Sequence, residues 1–159
     1  MWLAVILVMG MIFRFSAQDA EESTQVSTLV GRAIGRIVHP GFGDLTARQQ
    51  EAFAINIDFY VRKGAHASVY AALGFLFSGA FAWTNRFKNR SGRWVMLISW
   101  LCGTLYAMTD EFHQLFVPGR SGEIRDVCLD SAGVLVGVFI GRLLWTALRR
   151  RHWIGVEKQ

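Results

Sequence analysis

A charged stretch at residues 109–133, TDEFHQLFVPGRSGEIRDVCLDSAG, lies between two long apolar segments. About 20 consecutive apolar residues are enough for a helix to cross a bilayer. Ionisable side chains are costly in or near hydrocarbon, and where they occur in membrane segments they usually mark function. The pattern therefore predicts a membrane protein whose functional residues gather at one membrane face.

The composition favours a lipid bilayer as the main partner of this chain. Hydrophobic residues make up 52% of the 159 residues, charged residues make up 18%, and the net charge is +5. The basic residues flank the apolar segments, where they anchor and orient membrane helices. We therefore expect a bilayer partner, no nucleic acid, and a single domain over residues 1–159. The sequence leaves the oligomeric state open.

The apolar segments predict an all-α fold. We expect a four-helix transmembrane bundle with helices at about residues 1–15, 57–83, 94–116 and 124–148. In the fourth segment, Gly133, Gly137 and Gly141 repeat every four residues. Small residues at that spacing let two membrane helices approach closely. This stripe predicts a helix-packing surface and not a binding site.

The long first connection, residues 16–58, has a pattern of its own. Apolar residues from Val26 to Ile37 recur at helical spacing, which predicts an amphipathic helix. Such a helix either lies on the membrane surface or packs on the rest of the protein. The turn sequence HPGFGD follows, and Asp44 is a candidate cap for a further helix from Leu45. The expected bundle thus carries amphipathic helices in its first extracytoplasmic loop.

The distribution of basic residues predicts the orientation. The loop at residues 85–93 and the tail at residues 149–158 are the most purely basic connections. With four spans, both lie on the same side of the membrane, and the positive-inside rule places that side in the cytoplasm. We therefore expect a multi-pass protein of the cytoplasmic membrane with both termini in the cytoplasm.

This orientation brings the polar residues of three helices to one level. The outer ends of the second, third and fourth helices carry the candidate site residues (Lys63 and His66; Asp110, Glu111 and Gln114; Arg125, Asp126 and Asp130), and Arg120 lies in the loop between the last two. One interpretation is a hydrogen-bonded ion network that only fixes helix packing. We also expect the charges of Asp110 and Arg120 to be coupled within one site.

Two functional interpretations remain beside the structural one. The first is a binding site for an anionic headgroup, because Arg and Lys side chains are suited to bind phosphate. The residues expected to form it are Lys63, Gln114, Arg120, Arg125, Asp126 and Asp130. The second is catalysis, with His66 and a carboxylate of Asp110 or Glu111 as general base and acid. A metal site would have possible ligands in the same region (His66, His113, Asp110, Glu111 and Asp126). The chain has no two-histidine metal spacing, however, and we expect neither a metal nor a cofactor.

Four motifs, in this order, resemble the VanZ-like family of integral membrane proteins. They are FSAQ with acidic and Ser residues after it, RKGAH with a downstream Tyr, YAMTDEFHQLFVPGR, and an Arg-Asp pair followed by Asp-x-x-Gly. The polar positions of the family's motifs match seven residues here (Lys63, His66, Asp110, Glu111, Gln114, Arg120 and Asp126). The family often has Glu-Tyr after the histidine, whereas this chain has Val69 and Tyr70.

The resemblance implies a protein of the bacterial cytoplasmic membrane linked to the cell envelope and to tolerance of glycopeptides such as teicoplanin. Together with the polar cluster, it leads us to expect binding of an amphipathic envelope molecule, such as a lipid-linked phosphate or a lipoglycopeptide, with modification of that molecule left open. An anionic lipid or a lipid-linked cell-wall precursor is the corresponding partner. The alternatives are a membrane-embedded hydrolase or transferase acting on such a precursor, and a structural partner of another envelope protein.

Overall fold

The computed structural model describes residues 1–87 and 90–156. Within this part the fold is all-helical, with no strand. Its five α-helices are α1 (Trp2–Ser16), α2 (Ala20–Val38), α3 (Ala47–Trp83), α4 (Gly92–Gln114) and α5 (Ile124–Val156). Two short 3-10 helices, Phe42–Asp44 and Asn85–Phe87, lie in the connections before and after α3.

Local side chains set where the helices begin. The Asp19 side chain accepts a hydrogen bond of 2.8 Å from the backbone N–H of Glu22 and caps α2. Helix α3 is capped by Thr46, which forms a reciprocal capping box with Gln49. The expectation that Asp44 caps this helix is therefore wrong. Asp44 lies instead in the 3-10 helix that follows the turn.

Helix α3 is longer than the sequence predicted. The helix expected from Leu45 and the membrane helix expected from residue 57 form one continuous element of 37 residues. No Gly or Pro occurs between Ala47 and Ile57. The boundary inferred from the change of polarity is therefore not a break in the backbone, because hydrogen bonding along a helix continues through polar residues.

The glycine stripe of α5 packs against α3. A methyl group at Gly137 would overlap the backbone carbonyl of Ala71, and one at Gly133 would overlap the carbonyl of Ala67. Helix α3 contributes Gly74 to the same contact, where a methyl group would overlap the backbone of Val134. The absence of side chains at these positions allows the two backbones to touch, as the spacing predicted.

The apolar core lies between α1, α3, α4 and α5. Tyr70, Leu73, Ala107, Val134 and Val138 are fully buried there. Outside the core, the outward face of α5 remains apolar but exposed (Leu135, Val136, Phe139, Ile140 and Leu143). A helix that is apolar all round belongs to a membrane span or to the interior of a large protein. Residues 124–148 of α5 are also long and apolar enough to cross a membrane, so this exposed face is suited to contact with lipid.

Helix α2 packs through its small residues and leaves its large apolar residues outside. Ser27, Gly31 and Gly35 are buried, whereas Leu29 is 66% exposed and Ile37 is 84% exposed. Gly31 faces the backbone of Ala54 in α3. The sequence left open whether this helix packs on the protein or lies on the membrane surface. It packs on α3, and its exposed apolar side chains are free to contact lipid.

Two helices, α3 and residues 124–148 of α5, are long and apolar enough to cross a membrane. Helices α1 and α2 pass the same test only as a pair, and they are bent by 109° at their junction. The described residues therefore contain two or three candidate spans. The four-span arrangement and the cytoplasmic termini stay predictions. Parts of the basic loop and of the basic tail on which these predictions rest, residues 88–89 and 157–159, lie outside the described residues.

Candidate functional site: a polar cluster between two cavities

Asp110, near the end of α4, is the centre of the polar cluster. Its side chain is 2% exposed. Its Oδ2 accepts hydrogen bonds from Ser16 Oγ at 2.7 Å and from Tyr70 Oη at 3.0 Å. A buried carboxylate needs such donors to offset the loss of hydration. Asp110 therefore joins α1, α3 and α4 at one point, and it is bound to protein groups on one of its two oxygens.

A second contact joins α3 to α5. Lys63 Nζ donates to Asp126 Oδ2 in a partly buried ion pair. Arg125, the next residue to Asp126, is exposed and makes no hydrogen bond or ion pair with the residues described. The structure thus brings Lys63 and Asp126 together and leaves Arg125, a predicted ligand-binding residue, outside the cluster.

His66 faces a different carboxylate from those the sequence suggested. Its Nδ1 lies 3.7 Å from Asp130 Oδ2, an ion-pair distance that is longer than a hydrogen bond. Asp130 is 1% exposed, and neither of its oxygens has a hydrogen-bond partner in the part described. The expected pairing of His66 with Asp110 or Glu111 is replaced by one with Asp130. Asp130 of α5 thus supplies a carboxylate to the imidazole, although this chain has Val69 where the family often has Glu.

Glu111 shapes the loop after α4. It accepts hydrogen bonds from Gln114 Nε2 at 3.3 Å and from the backbone N–H of Glu123 at 3.0 Å. Both Glu111 and Gln114 are buried. The carboxylate therefore ties the last turn of α4 to the residue before α5, which makes it a positioning group in this structure.

Arg120 lies in that loop, outside the candidate spans. The turn needs the positive φ of 72° at Gly119, which glycine adopts without strain. Arg120 Nε then donates to the backbone carbonyl of Gln18 at 3.2 Å. It makes no hydrogen bond or ion pair with Asp110 among the residues described. Burial, with a smaller contribution from the charge of Arg62, lowers the pKa of the Arg120 guanidinium, although an arginine stays protonated at any physiological pH.

Two cavities meet at this cluster. The larger, of about 560 Å³, runs between α1, α2 and α3 and is lined mostly by apolar side chains such as Ile12, Val26 and Val61. The smaller, of about 260 Å³, is polar and is lined by Lys63, Gln114 and the carboxylates of α4, α5 and their loop (Glu111, Glu123, Asp126, Asp130). Both cavities are lined by the same three basic side chains, Arg62, His66 and Arg120.

The family model of VanZ/LLP1 matches residues 1–145. The chain belongs to the VanZ/LLP1 family. The match contains all the polar residues and both cavities described above. No curated protein and no solved structure gives a significant match. The comparisons therefore establish family membership alone, and the chemistry of the site follows only from its local geometry.

Several members of this VanZ/LLP1 site were not predicted from the sequence, among them Arg62, Asp58 and Ser27. Arg62 Nη2 forms an ion pair of 2.8 Å with Asp58, one helical turn earlier in α3. Asp58 in turn accepts a hydrogen bond from Ser27 of α2. The signal was present, since Asp58 and Arg62 lie four residues apart in a segment read as the start of a membrane helix. The partner Ser27 had no such signal.

The arrangement does not resemble a metal centre. Among the residues that the structure describes, no group of three or more His, Cys, Asp or Glu side chains is placed to hold a metal ion. His113, the histidine of the charged stretch, stacks on Phe13 with ring centroids 4.4 Å apart. The VanZ/LLP1 cluster instead offers fixed cations, buried carboxylates and an imidazole around a polar cavity.

Proposed function

We propose that this VanZ/LLP1 protein binds an amphipathic envelope molecule, with its apolar chain in the larger cavity and its phosphate-bearing headgroup in the polar one. The observation that carries this proposal is the sharing of Arg62, His66 and Arg120 by an apolar and a polar cavity. A molecule that fills both cavities needs an apolar part and a polar part joined near these three side chains.

The free donors of the two arginines support a phosphate at the junction. Arg62 Nε is buried without a hydrogen-bond partner in the part described. Arg120 uses only its Nε, on the carbonyl of Gln18. Guanidinium groups bind phosphate through paired N–H donors and remain charged when partly buried. The remaining donors of the two side chains can therefore hold one phosphate at the mouth of the polar cavity.

The position of α2 supports entry of the ligand from the membrane. The larger cavity is lined on one side by α2, through Val26, Val30 and Ile34. The same helix exposes Leu29 and Ile37, which are suited to the interfacial region of a bilayer. A lipid chain can thus reach the larger cavity along the apolar surface of α2.

Mass spectrometry of the lipids that co-purify with the protein tests the proposal directly. We expect a phosphate-containing amphiphile at a constant ratio to the protein, and its loss in Arg62→Gln and Arg120→Gln. Arg125→Gln is the matched control, because Arg125 is exposed and has no partner in the part described. Retention of the same lipid in all three variants, or recovery of bulk membrane lipids only, would overturn the proposal.

The contact between His66 and Asp130 favours a second candidate, a hydrolase or transferase acting on the bound molecule. A carboxylate beside Nδ1 orients an imidazole and leaves Nε2 to accept a proton from water or a hydroxyl group. Both residues line the polar cavity, where the headgroup is proposed to lie. In this mechanism His66 is the general base and Asp130 is a positioning residue.

Turnover of a lipid-linked phosphate distinguishes the two candidates. An enzyme loses turnover in His66→Ala while the lipid still co-purifies, and it loses less in Asp130→Asn. A binding protein shows no turnover in the wild type, whatever the state of His66. A protein with neither bound lipid nor turnover, but with a stable protein partner, would leave only the structural role.

Resemblance to VanZ-like proteins adds a cellular expectation to the binding proposal. Cells that express the chain should tolerate teicoplanin better than cells without it, and Arg120→Gln should reduce that tolerance more than Arg125→Gln does. The comparison of minimal inhibitory concentrations at equal membrane levels of the protein provides the measurement. Equal tolerance in cells with and without the protein would remove the link to glycopeptides, and would leave the lipid-binding proposal to its own test.

A further inference from the structure

The polar cavity is not simply a cationic site. Of the charged residues that line it, three are fixed cations, Arg62, Lys63 and Arg120. Four are carboxylates, Glu111, Glu123, Asp126 and Asp130, and His66 adds a positive charge only when protonated. A site with no excess of positive charge is poorly matched to a ligand that carries only negative charge, because every carboxylate near a phosphate repels it.

The carboxylates differ in what they already bind. Asp126 pairs with Lys63, and Glu111 accepts two hydrogen bonds. Asp130 is 1% exposed, and neither oxygen accepts a hydrogen bond from a described residue. The closest basic atom, His66 Nδ1, is charged only when the imidazole is protonated and lies 3.7 Å away, beyond hydrogen-bond distance. A buried carboxylate without a donor is costly, which points to a donor that arrives with a ligand.

We infer that the headgroup of the ligand carries a protonated amine with N–H donors beside its phosphate, and that Asp130 accepts from this amine. The inference rests on the function proposed above and narrows its ligand class to zwitterionic amphiphiles that pair a phosphate with a protonated amine. The phosphate binds the free donors of Arg62 and Arg120, and the ammonium group neutralises Asp130 deeper in the same cavity. Such a pair of charges matches the balance of charges in the lining.

Three amphiphiles with identical acyl chains separate the chemical features of the headgroup. Phosphoethanolamine supplies a phosphate and N–H donors with a positive charge. Phosphocholine keeps both charges but has no N–H donor, and phosphoglycerol has hydroxyl donors but no positive charge. Native mass spectrometry of the full-length protein in detergent, titrated with each lipid, gives the three affinities under one set of conditions.

We expect the phosphoethanolamine lipid to bind about tenfold or more tightly than either of the others, since a hydrogen bond to a charged group is typically worth that much. Asp130→Asn, which keeps the shape of the side chain, should remove this preference. The matched control is Glu21→Gln, an exposed carboxylate on α2, which should retain it. The comparison among the three lipids needs no variant, so it remains decisive even if Asp130→Asn does not fold.

Each other outcome has a definite meaning. Equal binding of the three lipids, or tightest binding of phosphoglycerol, overturns the inferred amine and leaves the amphiphile-binding proposal standing. A preference for phosphoethanolamine that survives in a folded Asp130→Asn protein overturns the role of Asp130. Saturable binding of none of the three, together with no co-purifying amphiphile, overturns both the inference and the proposed function.

Discussion

Ser16 and Asp110, which are 94 residues apart in the chain, are joined by a hydrogen bond of 2.7 Å between Ser16 Oγ and Asp110 Oδ2. Both side chains are buried. The last residue of α1 therefore fixes the end of α4, at the level where α3 contributes Tyr70 to the same carboxylate. This three-helix junction forms part of the wall of the larger cavity, since both Ser16 and Tyr70 line it.

Loss of either donor to Asp110 should destabilise the protein. Ser16→Ala and Tyr70→Phe each remove one hydrogen bond from a buried carboxylate, and we expect each to lower the free energy of unfolding by about 1–3 kcal/mol. Thermal unfolding in detergent measures the effect. Ser68→Ala is the control, because Ser68 is exposed and bonds only the Gly64 carbonyl of its own helix. Equal stability of all four proteins would show that the junction contributes nothing.

The ion pair of Lys63 and Asp126 should be energetically coupled. Lys63→Met and Asp126→Asn each leave a partly buried charge without its partner, so the double mutant should be more stable than the sum of the single effects predicts. For residues in contact the coupling is about 0.5–3 kcal/mol. A double-mutant cycle on unfolding in detergent provides the value, and strict additivity would contradict the contact.

The same method applies to Asp110 and Arg120, which the sequence led us to expect as a coupled pair. In the structure, Arg120 donates to the Gln18 carbonyl instead. We therefore expect a smaller coupling energy between Asp110→Asn and Arg120→Gln than between the substitutions at Lys63 and Asp126. Arg125→Gln should change the stability by less than about 0.5 kcal/mol, as exposed substitutions usually do. A larger coupling at Asp110 and Arg120 would show that the loop closes further onto α4.

Gly137→Leu should separate α5 from α3. A side chain at this position overlaps the Ala71 carbonyl and the Phe75 backbone nitrogen, and backbone atoms cannot move aside without displacing a helix. Overpacking of this kind costs typically 1–3 kcal/mol, occasionally more. Gly10→Leu in α1 is the matched control, because a methyl group there meets no atom within 4 Å. If both variants have the same melting temperature as the wild type, the glycine stripe of α5 faces lipid and not α3.

The orientation can be tested by labelling of single cysteines at Ser91 and Ser121, which are both exposed. The native Cys102 and Cys128 are first replaced by serine, because Cys128 is exposed and would react. Ser121→Cys should react with an impermeant maleimide in intact cells, and Ser91→Cys only after the membrane is opened. Labelling at Ser91 from outside would reverse the predicted topology.

Although the continuity of α3 from Ala47 was not predicted, the sequence itself determined that the chain is helical and that polar residues of three helices gather in one region. These features follow from local chemistry: the spacing at which apolar residues recur, capping side chains such as Asp19, and the helix-breaking residues around Gly119. The glycine stripe was equally readable, since spacing along one helix fixes which residues share a face. The cluster joins the end of α4 and the start of α5 to the middle of α3.

Only the tertiary structure decided which residues in that cluster meet. The rotation of each helix about its own axis is set by close packing, here by Gly74, Gly133 and Gly137 at the contact of α3 and α5. That rotation pairs His66 with Asp130 and not with the carboxylates of α4. The entry of Arg62 into the site likewise depends on how α2 rests on α3. Such long-range contacts have no local signature, because they arise from the shapes of surfaces that distant segments present to each other.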